Sequence, residues 1–467
     1  MENPLVSVVV PSYRQAEFVG DAIRSVLDQT YSRFELVVVD DASPDDTADV
    51  VAGFSDPRIT VVAHEENRGL SASRNSGIAA STGDIVALLD ADDMFHRDKL
   101  RLHVAFLGAH PEIGVSYNAR FEMNHSAATV RELWRPPVSV GLGELMLGFP
   151  FGPSDMVIRR EWFARAGLFD PAVGSAEDTD LPCRFALAGC RFAGVDRALN
   201  YRRYHAGRPR RNLRGRLEDV TRVLDAVTAD PRCPAEVAAL RGVAVKTHLM
   251  AVMSVALIQG EADLGRQFVR DLIRLDPSVL EGEPCELLDY LVQECIADDS
   301  LDHAEVLTRV LAQLPPEAAA LAARHSWAVA RGCVWRAIRA AMWGRSDDAR
   351  RHFQRASALG AEIDDSLLGA VTRHLLDQRV ECGAEAVDRV LDGLVPELDR
   401  LGGARPGTRL KALYLVNRAF ESYRGGDYRD VPGAVLRAVV RDPSHLKNRG
   451  VLSMLARSVG HVVGVRP

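Results

Sequence analysis

Between residues 5 and about 118 the chain alternates short β-branched runs with amphipathic stretches, and this alternation constrains the fold more than any other feature. Val6–Val10 is a continuous apolar run, as expected of a strand buried on both faces. Further strands are expected at Leu36–Val39, Ile59–Val62, Ile85–Leu89 and Ile113–Tyr117. Between them, Glu17–Gln29, Leu70–Ala80 and Lys99–Ala109 have helical spacing. Ser43-Pro44-Asp45-Asp46 reads as a helix start, with Ser43 as N-cap and Pro44 at N1. A βαβ series of this kind predicts an open, mostly parallel sheet with helices on both faces.

Strand signals stop after about residue 212. The remainder is rich in Ala, Leu and Arg at helical spacing, so two domains are expected: an α/β domain over 1–212 and an all-α domain over 213–467. Three stretches in the second part look alike, around Gly260-Glu261-Ala262-Asp263, Gly344-Arg345-Ser346-Asp347 and Gly425-Gly426-Asp427. Weaker echoes begin near Asp302 and Glu385. An array of helical hairpins of roughly 40 residues per unit, TPR-like, fits these spacings, and so does an irregular helical bundle. An array would offer a concave surface suited to a protein or peptide acceptor, or to a homodimer contact.

The net charge of −7 argues against general nucleic-acid binding. The seven cysteines form no C-x-x-C pair and read as buried thiols rather than a metal site or disulfide framework. The opening MENPLVSVVVP lacks a basic n-region, and the longest apolar run, Leu249–Ile258, is too short to span a bilayer. A cytoplasmic protein without a transmembrane segment is expected, with peripheral membrane contact left open.

Chemistry concentrates where strands end. Leu89-Asp90-Ala91-Asp92-Asp93 follows the fourth strand, and carboxylates there face the ligand crevice of an open α/β sheet. Such hard oxygen ligands suit Mg²⁺ or Mn²⁺ bridging to substrate phosphates; alone they would equally suit a solvated acidic turn. Asp41, after the second strand, can accept a hydrogen bond from a base ring N–H, can help cap the next helix, or both. Arg74, one turn into its helix, reads as a phosphate or base partner, or as a surface arginine. Glu177-Asp178 opens a helix, where the acids complement its dipole or serve as general base. The arginines from Arg202 to Arg216 form a basic segment that reads as a linker or as a neutraliser of a leaving pyrophosphate or an anionic acceptor.

In order, VSVVVPSYRQAEFVGDAIRSVLDQTY, FELVVVDDASPDDT, NRGLSASRNSGIAASTGDIVALLDADD, PSDMVIRREWFARAGLFDP and EDTDLPCRFALAG resemble the family 2 glycosyltransferases of GT-A fold, over residues 4 to 205. The resemblance implies an inverting transfer from a nucleotide-sugar donor, a UDP-sugar by preference or a dTDP-sugar. It implies that Pro11, Tyr13, Asp41 and Arg74 hold the nucleotide, with Asp90-Ala91-Asp92 as the D-x-D motif. Asp92, with Asp90 or Asp93, would serve Mn²⁺ or Mg²⁺, and His205 would approach that metal. Asp178, beside Glu177, would be the catalytic base. Thr179 departs from the aromatic residue that often follows this pair. The acceptor stays open among glycan, lipid, natural product and polypeptide. Two other functions stand as alternatives. A sugar-phosphate nucleotidyltransferase would carry a Gly-rich loop after the first strand, where Pro11-Ser12-Tyr13-Arg14-Gln15 has no glycine. A non-catalytic scaffold would be expected to lose carboxylates, and here every expected acid is present.

Overall fold

The computed structural model describes residues 3–126, 129–148, 150–204 and 212–462. Among the described residues, ten strands form one sheet: β1 (Val6–Ser12), β2 (Phe34–Asp40), β3 (Ile59–Ala63), β4 (Ile85–Leu88), β5 (Met94–Phe95), β6 (Val115–Met123), β7 (Val130–Trp134), β8 (Ser139–Val140), β9 (Val157–Arg159) and β10 (Phe192–Arg203). Their order is β3-β2-β1-β4-β9-β6-β10-β5, with β7 on β6 and β8 on β10. The first four are parallel, in register Val6↔Phe34 and Val6↔Ile85. The sheet is mixed beyond them. β9 runs antiparallel to both β4 and β6, and β10 returns parallel to β6. β9 is only three residues long, too short for its direction to be read from periodicity.

Helices α1 (Val19–Leu27), α2 (Thr47–Ala52), α3 (Leu70–Ala80) and α4 (Lys99–Ala109) connect the early strands, followed by α5 (Leu142–Leu147), α6 (Glu161–Ala166) and α7 (Glu177–Leu187). α2 starts at Thr47, later than expected. Asp45 explains the delay, because its carboxylate accepts from the Thr47 amide and hydroxyl and from the Ala16 amide, tying the segment to the loop after β1. Alternation along β1 feeds both cores: Val6, Val8 and Val10 pack with α1, while Val9 meets Ile78 on the other side. Both faces of β1 are therefore covered, as its apolar run implies.

The expected division at 212/213 marks the end of strand structure, but the first compact unit continues to Glu286 and takes in Gln313–Ala318. The reason is apolar packing. On α8 (Leu213–Ala229), Val220, Val223, Leu224 and Val227 join the same core as Trp162, Phe185 and Phe192. The helical run Ala235–Gln259 is long and apolar enough to cross a membrane by length and composition alone. Half of its apolar window is buried within the protein, and Met253, Ala256 and Leu257 are fully enclosed, as in a core helix.

The second unit, Leu287–Ala312 with the described residues from Ala319 on, is helical. Each of the three look-alike stretches is a turn between packed helices: 241–259 with 262–275 in the first unit, and 325–342 with 346–358 and 406–424 with 430–441 in the second. Gly260, Gly344 and Gly426 take φ of +82°, +75° and +81° there, a region costly for other residues. Helices also begin at His303 and Ala384, where the weaker echoes fall. All seven cysteines are free; five are buried, Cys233 is half-buried and Cys382 is exposed.

α3 lies unusually close to the sheet, because a Cβ on Gly77 would stand 2.3 Å from Cγ1 of Val9. Gly77→Ala is expected to lower unfolding stability by about 1–3 kcal/mol in denaturant titration, since overpacking a close contact forces backbone shifts. Val9→Ala should recover part of that loss, and strictly additive losses would contradict the contact.

Candidate active site

Parallel strands place their carboxyl ends on one rim. β1 ends at Ser12, β2 at Asp40 and β4 at Leu88, so Tyr13, Asp41 and the Asp90–Asp93 loop emerge together. They open onto a cavity of about 530 Å³. Of the residues expected to bind or react, Pro11, Tyr13, Asp41, Arg74, Asp90, Ala91, Asp92, Asp93, Glu177 and Asp178 all line it. His205 lies outside the described residues, as do Arg208, Arg210 and Arg211.

Asp41 is buried and heavily used. Its Oδ1 contacts His64 Nδ1 at 2.6 Å and accepts from the Arg68 amide at 2.9 Å; its Oδ2 accepts from the Gly69 amide at 2.8 Å. The carboxylate therefore fixes the loop that enters α3, and a further lone-pair site stays open on a carboxylate that accepts three bonds. Tyr13 is 39% exposed, with the Arg14 guanidinium 5.4 Å from its ring centre.

Arg74 is not a surface arginine. It is 1% exposed, and its guanidinium donates to Asp90 at 2.9 Å and to Glu177 at 3.0 Å. One buried cation thus joins the loop after β4 to the start of α7. Its Nε has no hydrogen-bond partner. Two carboxylates against one guanidinium raise its already high pKa, in opposition to burial.

Asp90, Asp92 and Asp93 each offer an oxygen, and these oxygens lie within 4.8 Å of one another, a spacing that fits one divalent cation. Ser154 organises this loop: its hydroxyl donates to Asp93 at 2.8 Å and accepts from the Asp90 amide at 3.0 Å. Arg203 adds its own amide to Asp93 at 3.2 Å and its Nε to the Asp92 carbonyl.

Behind Ser154 lies a buried polar network that sequence reasoning missed. Lys99 is fully buried, and its ammonium donates to Asn118 at 2.5 Å, to Asn200 at 2.8 Å and to the Ser154 carbonyl at 2.9 Å. The Asp155 carbonyl lies 3.4 Å away as a fourth acceptor, so all three N–H groups are met, although burial pushes its pKa down to about 7. His103 sits between Ser116 and Asn118, with burial and Lys99 keeping it well below the usual histidine range. Asp155 accepts from Arg120, from Asn200 and from the Gly152 amide. The Gly152–Asp155 wall is thereby pinned to β6 and β10. The one signal for it was polar residues at helical spacing, Lys99 and His103, beside the apolar Leu100 and Leu107.

On the opposite side, Asp178 Oδ1 is buried without a hydrogen-bond partner. Burial, then the neighbouring Glu177, raises its pKa to about 7, opposed by Arg216 and Arg74. Arg216 comes from α8, with Nη2 3.9 Å from Asp178 Oδ2 and Nη1 donating to the Ser175 carbonyl. Asp219, also on α8, accepts from the Ser175 amide and hydroxyl. A helix expected in the second domain therefore completes the cavity.

Residues 7–166 match the family model for glycosyl transferase family 2, and the chain carries a family 2 glycosyltransferase domain. It is 37% identical over 107 residues to the UDP-Glc:alpha-D-GlcNAc-diphosphoundecaprenol beta-1,3-glucosyltransferase WfgD of Escherichia coli, covering 23% of this chain and 42% of that protein. It is 44% identical over 98 residues to the succinoglycan biosynthesis protein ExoO of Rhizobium meliloti, covering 21% of this chain and 28% of that protein. The chain thus spans under half the length of either relative. Among solved structures, Staphylococcus aureus TarS 1–349 in complex with UDP-GlcNAc aligns with 77% of this chain and 94% of that one, at 18% identity and a TM-score of 0.44.

A carboxylate must be ionised to act as a base, so if Asp178 has that role kcat/KM is expected to fall as pH drops through about 7. Arg216→Met removes an opposing cation and should move that acidic limb to higher pH, while Arg216→Lys stays near wild type. The stability sign is opposite. The contribution of a carboxyl with a raised folded pKa is present below its unfolded value and is lost as pH rises through about 7. Asp178→Asn should therefore raise Tm at pH 8 and not at pH 4. A pH profile indifferent to Arg216 would contradict the arrangement.

Proposed function

We propose that this chain transfers a sugar from a nucleotide-sugar, a UDP-sugar by preference or a dTDP-sugar, to an acceptor nucleophile with inversion at the anomeric carbon. The observation that carries the reading is the convergence of Asp41, Asp90, Asp92, Asp93 and Asp178 on one cavity, with Tyr13 at its edge. WfgD, whose name specifies UDP-Glc, supports a UDP-sugar donor.

In this reading Tyr13 packs on the base and Asp41 accepts from its ring N–H. Asp92, with Asp90 or Asp93, holds Mn²⁺ or Mg²⁺, a fit supported by their oxygens lying within 4.8 Å of one another. When bound, such an ion supplies charge stabilisation to a departing diphosphate. Ser154 and the Arg203 amide keep Asp93 in place, and Arg74 keeps Asp90 from swinging away. Asp178 takes the proton from the acceptor hydroxyl as that oxygen attacks. Its proton affinity, set near neutrality, suits that task. Glu177, committed to Arg74, ties the start of α7 to the bridge and adds its negative charge beside the base.

Asp178→Asn is expected to retain UDP affinity while transfer falls by about 10²–10⁴-fold. EDTA should abolish turnover of UDP-sugars, with Mn²⁺ or Mg²⁺ restoring it. Full activity in Asp178→Asn removes it as the base, and indifference to EDTA removes the metal assignment.

A further inference from the structure

Beside the cavity stands an aromatic ring that the reaction as described does not use. Trp134, the last residue of β7, pairs directly with Arg120 across the antiparallel β6–β7 ladder. Residues paired this way project from the same face of a sheet, and Arg120 lines the cavity. The Arg120 guanidinium lies 5.4 Å from the centre of the Trp134 ring. Trp134 is 42% exposed, and the other tryptophans among the described residues are buried or half-buried. Its Nε1 donates to the Pro150 carbonyl at 2.9 Å, which satisfies the polar edge and holds the ring in one orientation. Pro150 leads into the Gly152–Asp155 wall of the cavity.

The neighbours of the ring form a ladder of alternating charge. Asp155 accepts from Arg120 at 2.8 Å, Arg120 donates to Glu122 at 2.8 Å, and Arg202 reaches the same Glu122 oxygen at 3.4 Å. Arg202 also lines the cavity. A lipid chain or an apolar peptide side chain laid here would desolvate this ladder without offering hydrogen bonds in return. A sugar ring has what the surface lacks: a C–H face for an indole and a rim of hydroxyls that both donate and accept.

We propose that Trp134, with Arg120, Glu122 and Arg202, forms an acceptor subsite for a saccharide, its ring stacked on the indole and its hydroxyls bonded to the charged ladder. The proposal rests on the glycosyl-transfer reading above and narrows the acceptor to a carbohydrate. The indole is a preorganised platform, so stacking costs little ordering on the protein side.

The test uses the full chain, with UDP-glucose, UDP-N-acetylglucosamine, dTDP-glucose and GDP-mannose as donors and methyl glycosides and short oligosaccharides as acceptors. UDP binding is measured alongside by calorimetry. Transfer to a saccharide is expected in the wild type. Trp134→Ala should raise the acceptor KM about tenfold or more, and Trp134→Phe, which keeps an aromatic face, should stay within about threefold. Both variants should bind UDP as the wild type does. An unchanged acceptor KM in Trp134→Ala, an equal loss in both variants, or a parallel loss of UDP binding overturns the subsite. Donor hydrolysis by the wild type without transfer to any saccharide overturns the acceptor class. A wild-type chain that binds no UDP and consumes none of the donors sinks the transferase reading itself.

Discussion

The cavity exists as one site because a buried guanidinium holds two of its sides together. Arg74 reaches from α3 to Asp90, in the acidic loop after β4, and to Glu177 at the head of α7. An arginine 1% exposed would be costly without such partners, and either carboxylate would repel the other acids of the site without the cation between them. Removing Arg74 leaves Glu177 buried without its cation, and removing either acid leaves a buried guanidinium nitrogen without its acceptor, so the three act as a unit. The same bridge sets the Arg74 charge near Asp178, where it opposes the upward push that burial and Glu177 give the proton affinity of that carboxyl.

The rest of the fold delivers residues to that bridge. Gly77 lets α3 sit against Val9, which brings Arg74 to the rim. Lys99 and its asparagines hold Ser154, and Ser154 holds Asp90 and Asp93. α8 braces Ser175 through Asp219 and sets Arg216 beside Asp178. Each support is buried or half-buried and hydrogen-bonded, as a site needs when its geometry is to be fixed before a ligand arrives.

The parallel half of the sheet was legible because a strand covered on both faces leaves an unbroken β-branched run, as in Val6–Val10. The acidic rim was legible for a related reason: carboxylates directly after such runs have no place inside a sheet and must face its crevice. What escaped were features made by contacts distant in the chain. Arg74 reads locally as a helix-surface cation, and only the fold brings Glu177, over a hundred residues away, to meet it. Lys99 looks like an ordinary first-turn lysine until β6 and β10 close over it. The apolar Met156–Ile158 reads as a strand, but three residues carry no sign of the antiparallel direction of β9, and α8 resembles the helices after it in composition while its valines and Leu224 pack on the first core.

Anomalous diffraction from crystals of the full chain grown with UDP and Mn²⁺ tests the central claim most directly. The account predicts a manganese peak in the cavity within bonding distance of Asp92, with Arg74 still joining Asp90 to Glu177. A peak elsewhere, or Arg74 parted from both Asp90 and Glu177, would contradict it.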